Sequence, residues 1–316
     1  MTAARAAVFR VDTLMSVDRA GSELSAVNRR AGTDSATVLS PWTAEALELA
    51  LSIAAASGGA LDVTASPLTG AWESYRQRGA IPPQAVRDSV APLVGWRNVH
   101  FDRATRRVWL PSRGMRLDLG GIARGFALDR ALDALRAAGV RRAVVDLGGN
   151  FAVLGAAPVA ARWSMALQHP FAPGEVFAAV QVDSGALGTL GDSGQFSEAG
   201  GVRYSHVVDP RTRQPARGIV SVSVMAPSGI LSDALARTFY VLGPEAGCRL
   251  AARYPGVQAI WVRDPSAAER RDEAYDAHEG IDPRLVVITD GLAEDLELIS
   301  EEPPTMHPTR CSELSG

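Results

Sequence analysis

Apolar residues recur at helical spacing near the N-terminus, in the middle of the chain and again beyond residue 230. Between residues 12 and 30 the pattern predicts a helix, an Asp-Arg-Ala-Gly turn and a second short helix. Further helices are predicted over 43–56, 126–138, 232–242 and 245–254. Thr43 and Ser232 are the expected N-caps of two of them, and Gly243-Pro244 separates the last pair.

Apolar and polar residues alternate through much of the centre of the chain, as they do in half-buried strands. Strands are predicted over 96–101, 107–110, 142–146, 151–154, 163–168, 176–182, 186–190, 204–208, 220–225, 259–262 and 285–288. Since no long linker separates two halves, we expect one continuous α+β domain over residues 10–300. Residues 1–9 and 301–316 are expected to be disordered, and the charged stretch 264–282 to form a surface insertion.

The composition restricts the possible chemistry of the protein more than it restricts the possible fold. The chain has 316 residues, 47% of them hydrophobic, and a net charge of -3, which is typical of a globular protein and gives no reason to expect a nucleic-acid partner. All 32 cationic side chains are arginines. The absence of lysine excludes Schiff-base chemistry and the Gly-Lys-Ser/Thr phosphate loop. A phosphate group would therefore be held by arginine, backbone N–H groups or a metal ion.

Neither the cysteines nor the N-terminus of this sequence indicates a compartment. Cys248 is expected to be a small buried hydrophobic residue and Cys311 to lie in a polar tail, without a disulfide framework. Residues 1–9 lack an apolar run long enough for a signal peptide, and the alanine-rich stretch 44–60 contains glutamates, so it is typical of a packed helix rather than a membrane span. We expect the chain as given to be cytoplasmic, or exported if an upstream segment is missing.

A glycine-rich turn precedes the helix predicted over 126–138. Gly120, Gly121 and Gly125 let the backbone approach a ligand closely, and the helix N-terminus favours an anion such as a phosphate. Turns of this kind are also common as purely structural connections, and the dinucleotide pattern Gly-x-Gly-x-x-Gly is not matched. The segment indicates either an anion site or an ordinary strand-to-helix turn.

Two further side chains are candidates for chemistry, and each has a structural alternative. His206 lies where a short strand runs into Asp209-Pro210. It is either a general base or ligand-positioning group, or a hydrogen-bonded structural histidine. Asp233 is predicted at the first position of a helix, where a carboxylate either complements the helix dipole or holds Mg²⁺ together with water and phosphate oxygens.

Eight short motifs follow one another in a characteristic order. They are Ser22-Glu23-Leu24-Ser25 with Asn28, Leu61-Asp62-Val63-Thr64, Gly95-Trp96-Arg97, the twelve residues from Asp118 to Asp129, Gly148-Gly149-Asn150, Thr189-Leu190-Gly191-Asp192, His206-Val207-Val208-Asp209-Pro210, and Ser232-Asp233-Ala234-Leu235-Ala236. Over roughly residues 10–262 the chain thereby resembles the ApbE family, the FAD:protein FMN transferases. The resemblance implies an ApbE-like single domain of mixed and antiparallel sheets with flanking helices.

The resemblance also implies a reaction. Members of this family bind FAD, split its pyrophosphate with Mg²⁺ and pass FMN to a threonine hydroxyl of a target protein, such as a subunit of a membrane redox complex, releasing AMP. Some members instead hydrolyse FAD to FMN and AMP, and a flavin-binding protein without catalysis is a further alternative. The implied FAD-binding residues are Asp118, Gly120, Gly121, Thr189, Gly191, Asp192 and His206. The Gly121 carbonyl and the Asp233 carboxylate would hold Mg²⁺, and His206 and Asp233 would be catalytic.

One position departs from the family pattern. Four residues after the metal-binding aspartate the family has threonine, whereas this chain has Arg237, followed by Thr238. Residue i+4 shares a helix face with Asp233, while residue i+5 points about 140° away, so Thr238 cannot take over the role. Arg237 either pairs with Asp233 and displaces the metal or binds the pyrophosphate itself. Of these two, we expect the ion pair with Asp233.

Overall fold

The computed structural model describes residues 2–157, 162–172, 174–192, 196–199, 202–265, 281–299 and 307–315. Both helices and strands build its fold. The helices are α1 (Thr2–Met15), α2 (Glu23–Arg29), α3 (Pro41–Ala56), α4 (Ser66–Arg76), α5 (Gln84–Val90), α6 (Ala123–Ala137) and α7 (Gly229–Ala251). Most of the predicted helices are therefore confirmed, with shifted ends. Within the described residues, no helix has the length and apolar character that crossing a membrane requires.

The strands also follow the predicted pattern closely. They are β1 (Thr37–Val38), β2 (His100–Asp102), β3 (Arg107–Trp109), β4 (Ala143–Asp146), β5 (Phe151–Leu154), β6 (Trp163–Gln168), β7 (Val176–Val182), β8 (Gly185–Gly191), β9 (Phe196–Ala199), β10 (Val202–Ser205), β11 (Val208–Asp209), β12 (Gln214–Pro215), β13 (Ile219–Ala226), β14 (Gln258–Arg263), β15 (Val286–Ile288), β16 (Leu296–Leu298) and β17 (Thr309–Arg310). The single strand predicted over 204–208 is instead divided between β10 and β11, with His206 between them.

A seven-stranded sheet in the order β17-β15-β14-β13-β8-β5-β4 organises the fold. Its neighbours are antiparallel except for β15 and β17, which are parallel. Two smaller antiparallel sheets have the orders β16-β7-β6 and β1-β3-β2, and β9/β10 and β11/β12 form two-stranded pairs. The expected mixture of mixed and antiparallel sheets with flanking helices is thus confirmed.

The large sheet is buried on both faces. Along β14, Ala259 and Trp261 belong to the core shared with α7, whereas Ile260 and Val262 belong to the core shared with the β16-β7-β6 sheet. This alternation is what a strand between two apolar layers requires. The carboxyl-terminal part of β13 leads directly into α7, so the sheet fixes where that helix begins.

The N-terminal residues form a helix, so the expectation that residues 1–9 are disordered is wrong for residues 2–9. Ala7, Val11 and Met15 are buried at four-residue spacing on one face of α1, which packs on α6. This stripe consists of only three buried apolar positions, of which Ala7 alone lies within residues 1–9. So few apolar positions are not enough to predict a helix from hydrophobic periodicity alone.

Helix α7 begins four residues earlier than predicted, at Gly229, whereas Ser232 was the expected N-cap and Asp233 the expected first residue. The N–H groups of Gly229 and Ile230 donate to the two carboxylate oxygens of Asp129 in α6, at 2.6 and 2.9 Å. Because this capping group lies about 100 residues away in sequence, local capping rules could not place the start. Helix α3 likewise begins at Pro41 with Ser40 as its N-cap, so Thr43 is not the cap.

The C-terminal segment 307–315 is tied to the domain, which corrects the expected disordered tail over 301–316. Strand β17 pairs in parallel with Val287 and Ile288. Cys311 forms a disulfide with Cys248 of α7, with the two Cα atoms 5.7 Å apart, so the expectation of two unlinked cysteines is also wrong. Most of the expected insertion 264–282 lies outside the described residues.

Reduction of this disulfide is expected to lower the free energy of unfolding. The two cysteines are 63 residues apart, and closing a loop of that length stabilises a fold by about 4 kcal/mol in the chain-entropy description. Urea unfolding with and without dithiothreitol measures the effect. The variant with both Cys248→Ser and Cys311→Ser is the control, since dithiothreitol should leave its midpoint unchanged. An unchanged midpoint for the parent protein would contradict the expectation.

Candidate functional site

A cavity of about 700 Å³ lies between α4, the turn before α6, the segment after β10 and helix α7. Its lining brings together three of the segments singled out in the sequence and adds two charged residues of α4. The lining residues are Leu61, Asp62, Val63, Ala65, Ser66, Thr69, Gly70, Glu73, Arg76, Asp118, Leu119, Gly120, Gly121, Ile122, His206 and Arg237. Of the predicted site residues, Asp118, Gly120, Gly121 and His206 thus meet at one cavity.

The turn at Asp118 is fixed from both sides. The Asp118 N–H donates to the Val63 carbonyl at 2.8 Å, and the Gly120 N–H donates to Asp118 Oδ1 at 2.7 Å. Just before the turn, the side-chain amide of Asn28 pairs with both the N–H and the carbonyl of Leu117. These bonds hold the glycine backbone at the cavity edge in a conformation that does not depend on a ligand.

A second rigid turn, formed by residues 61–64, supports the opposite wall. Asp62 Oδ1 accepts hydrogen bonds from the N–H and the hydroxyl of Thr64, at 2.8 and 2.6 Å, while Oδ2 accepts from the Trp96 N–H at 3.0 Å. The Gly95 N–H in turn donates to the Thr64 hydroxyl at 2.7 Å. Burial raises the pKa of Asp62, and these hydrogen bonds oppose the rise. Two of the sequence motifs are therefore one structural unit.

Asp233 holds three elements together. Its Oδ2 accepts from the Gly125 N–H of α6 at 3.0 Å, and its Oδ1 accepts from the Asn150 side-chain amide at 3.2 Å. The side-chain oxygen of Asn150, Oδ1, accepts from the Thr189 N–H of β8 at 3.0 Å. Asp233 is only 6% exposed, and burial raises the pKa of its carboxyl. It is the fifth residue of α7 and does not line the cavity, so its predicted position at the first turn is wrong.

Replacing Asp233 by alanine is expected to destabilise the fold rather than leave it nearly intact. The substitution leaves the buried Asn150 amide and the Gly125 N–H without their acceptor, which costs about 1–3 kcal/mol. Thermal unfolding monitored by circular dichroism measures the loss, and Asp133→Ala on the exposed part of α6 is the control. Equal melting temperatures for the two variants would show that the network contributes nothing.

Arg237 lies across Gly121 at the inner end of the cavity. The Arg237 Nε is 2.5 Å from the point that a Cβ on residue 121 would occupy, so glycine is required there to make room for the arginine. Within the described residues its guanidinium forms no ion pair within 4.0 Å, so the expected pairing with Asp233 is wrong. The two oxygens of Asp233 instead accept hydrogen bonds from Gly125 and Asn150. Burial lowers the pKa of Arg237, and the nearby carboxylates of Asp233 and Asp118 oppose this.

Thr238 faces the protein interior. It is fully buried, and its hydroxyl donates to the Ala234 carbonyl one turn earlier at 2.7 Å. The structure thus confirms that this threonine does not replace the residue missing from position 237.

His206 lines the cavity with a carboxylate behind it. The His206 Nδ1 is buried and lies 3.3 Å from Asp192 Oδ1. The same oxygen accepts a hydrogen bond from the Ser205 hydroxyl at 2.6 Å, and that hydroxyl is 3.1 Å from the Tyr240 hydroxyl. The carboxylate thus lies beside the buried ring nitrogen, on the side of the imidazole away from the cavity. This arrangement suits a group that takes up a proton.

Three predicted FAD-binding residues lie behind the cavity wall instead of lining it. Thr189 bonds to Asn150 through its N–H and lies 2.9 Å from the Ser223 hydroxyl through its own hydroxyl. Gly191 is the last residue of β8, and the Asp192 N–H that follows donates to the Val220 carbonyl. In the structure this motif supports Asp233 and His206.

Sequence reasoning missed a charged pair on the cavity wall. The Arg76 guanidinium donates to both carboxylate oxygens of Glu73 at 2.7 Å, one helical turn away in α4. The guanidinium lowers the pKa of Glu73. In the sequence such a pair at i,i+3 is the ordinary pattern of a solvated helix face, and only its position beside His206 sets it apart.

A second cavity of about 650 Å³ adjoins the first across the Asp118–Gly120 turn, since both residues line both cavities. Apolar side chains of α1 and α6, among them Val11, Met15 and Ala127, form much of its wall. The turn therefore separates a polar cavity from an apolar one. No group of three or more His, Cys, Asp or Glu side chains in the described part of the chain is arranged to hold a metal ion.

Comparison with known proteins gives consistent matches. The ApbE family pattern matches residues 1–261. The FAD:protein FMN transferase of Treponema pallidum is 34% identical over 293 residues, covering 87% of this chain and 80% of that protein. The enzyme of the same name from Rhodobacter capsulatus is 36% identical over 248 residues, covering 76% of this chain but 46% of that protein.

Solved structures agree in fold. The ApbE protein of Thermotoga maritima has a TM-score of 0.74 at 26% identity, covering 87% of this chain and 92% of that one. The apo flavinyl transferase ApbE of Pseudomonas stutzeri has a TM-score of 0.72 at 29% identity, covering 83% and 82%. The family match spans all the cavity-lining residues and strands β4, β5, β8 and β13 of the large sheet. This chain therefore belongs to the ApbE family.

Proposed function

We propose that this chain transfers the FMN part of FAD to a hydroxyl group of a target protein and releases AMP. The observation that carries the proposal is the convergence of the 118–121 turn, His206 and Arg237 on one cavity of about 700 Å³. The names of the relatives support the same reaction, since they are FAD:protein FMN transferases.

The residues present can supply the chemistry of such a transfer. The acceptor hydroxyl attacks the phosphorus of the FMN phosphate, a new P–O bond forms, and the P–O bond to AMP breaks with its electron pair leaving on AMP. His206, held by Asp192, is the group placed to take the proton of the hydroxyl. The Arg237 guanidinium, which lines the same cavity, is placed to balance the negative charge of the phosphates.

We further propose a threonine hydroxyl of a separate protein as the acceptor, for example in a subunit of a membrane redox complex, as the family resemblance implies. The Cys248–Cys311 disulfide supports a working place outside the cytoplasm, because such bridges persist in oxidising compartments and are rare in the cytosol.

Mg²⁺ is also implied by the family, but the residues here fit it poorly. Asp233, the implied carboxylate ligand, is buried behind the cavity, with both oxygens accepting N–H groups. At Gly121, the implied carbonyl ligand, a guanidinium lies across the backbone. We therefore assign no step of the reaction to a metal ion.

Incubation of the purified protein with FAD and an extract of the source cells tests the proposed function. Transfer is expected to release AMP and to leave flavin fluorescence on a protein band after denaturing electrophoresis. AMP accompanied only by free FMN would instead indicate FAD hydrolysis. FAD binding without any AMP would indicate a flavin-binding protein without catalysis.

A further inference from the structure

We infer that Arg237 supplies, as part of the chain, the positive charge that a metal ion would otherwise bring to this site, so that the FAD pyrophosphate is bound without Mg²⁺. The inference rests on the proposed function, which makes pyrophosphate the group to be bound. It goes beyond that function by removing the metal from the binding step.

The first argument is position. Arg237 lines the cavity beside Asp118 and Gly120, and its Nε occupies the space that any side chain at residue 121 would need. A divalent cation at the Gly121 backbone would share this space with a guanidinium of like charge. Repulsion between them disfavours the cation, whereas an anion at the same place is attracted.

The second argument is that no direct contact neutralises the charge of Arg237, although the carboxylates of Asp233 and Asp118 lie near enough to attract it. Within the described residues its guanidinium forms neither an ion pair nor a hydrogen bond, whereas Arg76, the other arginine of the cavity wall, is paired in bidentate fashion with Glu73. A charge that is withdrawn from water is costly unless a partner compensates it. An anionic ligand in the cavity would be that partner.

The third argument concerns the carboxylate that a metal would need. Asp233 accepts hydrogen bonds from Gly125 and Asn150 and is kept away from the cavity lining. Coordination of a cation would break contacts that join α6, α7 and β8. The fold thus uses Asp233 as a structural acceptor and leaves anion binding to Arg237, whose planar fork matches two oxygens of a pyrophosphate.

Titration of FAD with the protein in EDTA and in Mg²⁺, followed by flavin fluorescence, tests the inference. The parent protein is expected to bind FAD with a Kd that differs less than twofold between the two conditions. Arg237→Thr is expected to bind FAD about tenfold or more weakly in EDTA, which corresponds to the loss of a charge-assisted hydrogen bond. Its affinity for riboflavin, which has no phosphate, should be unchanged.

Two further variants keep the experiment decisive. Arg237→Gln is a replacement of similar length in case the threonine variant does not fold, and it should lose FAD affinity in the same way. Arg249→Gln changes an exposed arginine on the same helix, and its FAD affinity should equal that of the parent.

Binding of FAD by the parent protein only in Mg²⁺ would overturn the inference and leave the proposed function intact. Unweakened FAD binding by both Arg237 variants in EDTA would overturn it as well. A parent protein that binds no FAD under either condition would overturn the inference together with the proposed function.

Discussion

His206→Ala is expected to lower the rate of AMP release from FAD by about 10²–10⁴-fold, the usual contribution of a positioned general base. The imidazole lines the cavity, and its buried Nδ1 lies 3.3 Å from Asp192 Oδ1. Because the imidazole is the proton acceptor of the proposed reaction, its removal is expected to slow the chemical step. AMP release measured by chromatography under saturating FAD gives the effect.

Two controls separate this role from a structural one. His100→Ala removes an exposed imidazole on β2 that stacks on Trp109 away from the cavity, and its rate should equal that of the parent. Asp192→Asn should lower the rate by less than His206→Ala, since it keeps the base and loses only its orienting charge. A His206→Ala protein that releases AMP at the parent rate would show that His206 is not the base.

Gly125→Ala is expected to lower the free energy of unfolding by about 2 kcal/mol, the upper end of the overpacking cost less the helix preference for alanine. A Cβ on residue 125 would lie 2.0 Å from the Gly229 carbonyl oxygen and 2.7 Å from Asp233 Cβ, where α6 and α7 cross. Alanine is favoured over glycine inside a helix by about 1 kcal/mol. Overpacking against backbone costs about 1–3 kcal/mol or more, and at this distance the larger cost decides the sign.

Chemical denaturation of Gly125→Ala beside Gly21→Ala measures this effect. Gly21 has no atom within 4 Å of its missing Cβ and no positive φ, so alanine there should leave the midpoint nearly unchanged. Equal midpoints for the two variants would show that α6 and α7 move apart to accommodate the added methyl group at little cost in stability.

The start of α7 shows why some features could not be predicted. Capping rules favoured Ser232, but the N-terminal N–H groups of this helix bond to Asp129 of another helix. The predicted ion pair between Arg237 and Asp233 was wrong for a related reason. Helical spacing placed Arg237 on the face of Asp233 and suggested an ion pair, whereas Gly125 and Asn150 already occupy the oxygens of that carboxylate. The spacing of residues in the sequence shows neither the hydrogen bonds to Asp129 nor those to Asp233.

The disulfide between Cys248 and Cys311 could not be predicted for the same reason. Cys248 sits in a helical pattern and Cys311 in a polar segment, and nothing near either of them indicates a partner. Only the parallel pairing of β17 with β15 brings the C-terminal segment beside α7.

The sequence by itself determined the elements, the α+β class and the membership of the family, because periodicity, glycine turns and ordered motifs are local properties. Through the resemblance to the family it also implied that Asp118, Gly121 and His206 belong to one site, and these three residues line one cavity. The tertiary structure alone decided which groups are free to act. It placed Asp233 in a buried network and left Arg237 facing the cavity, because burial and competition for hydrogen-bond acceptors depend on contacts between residues far apart in the chain.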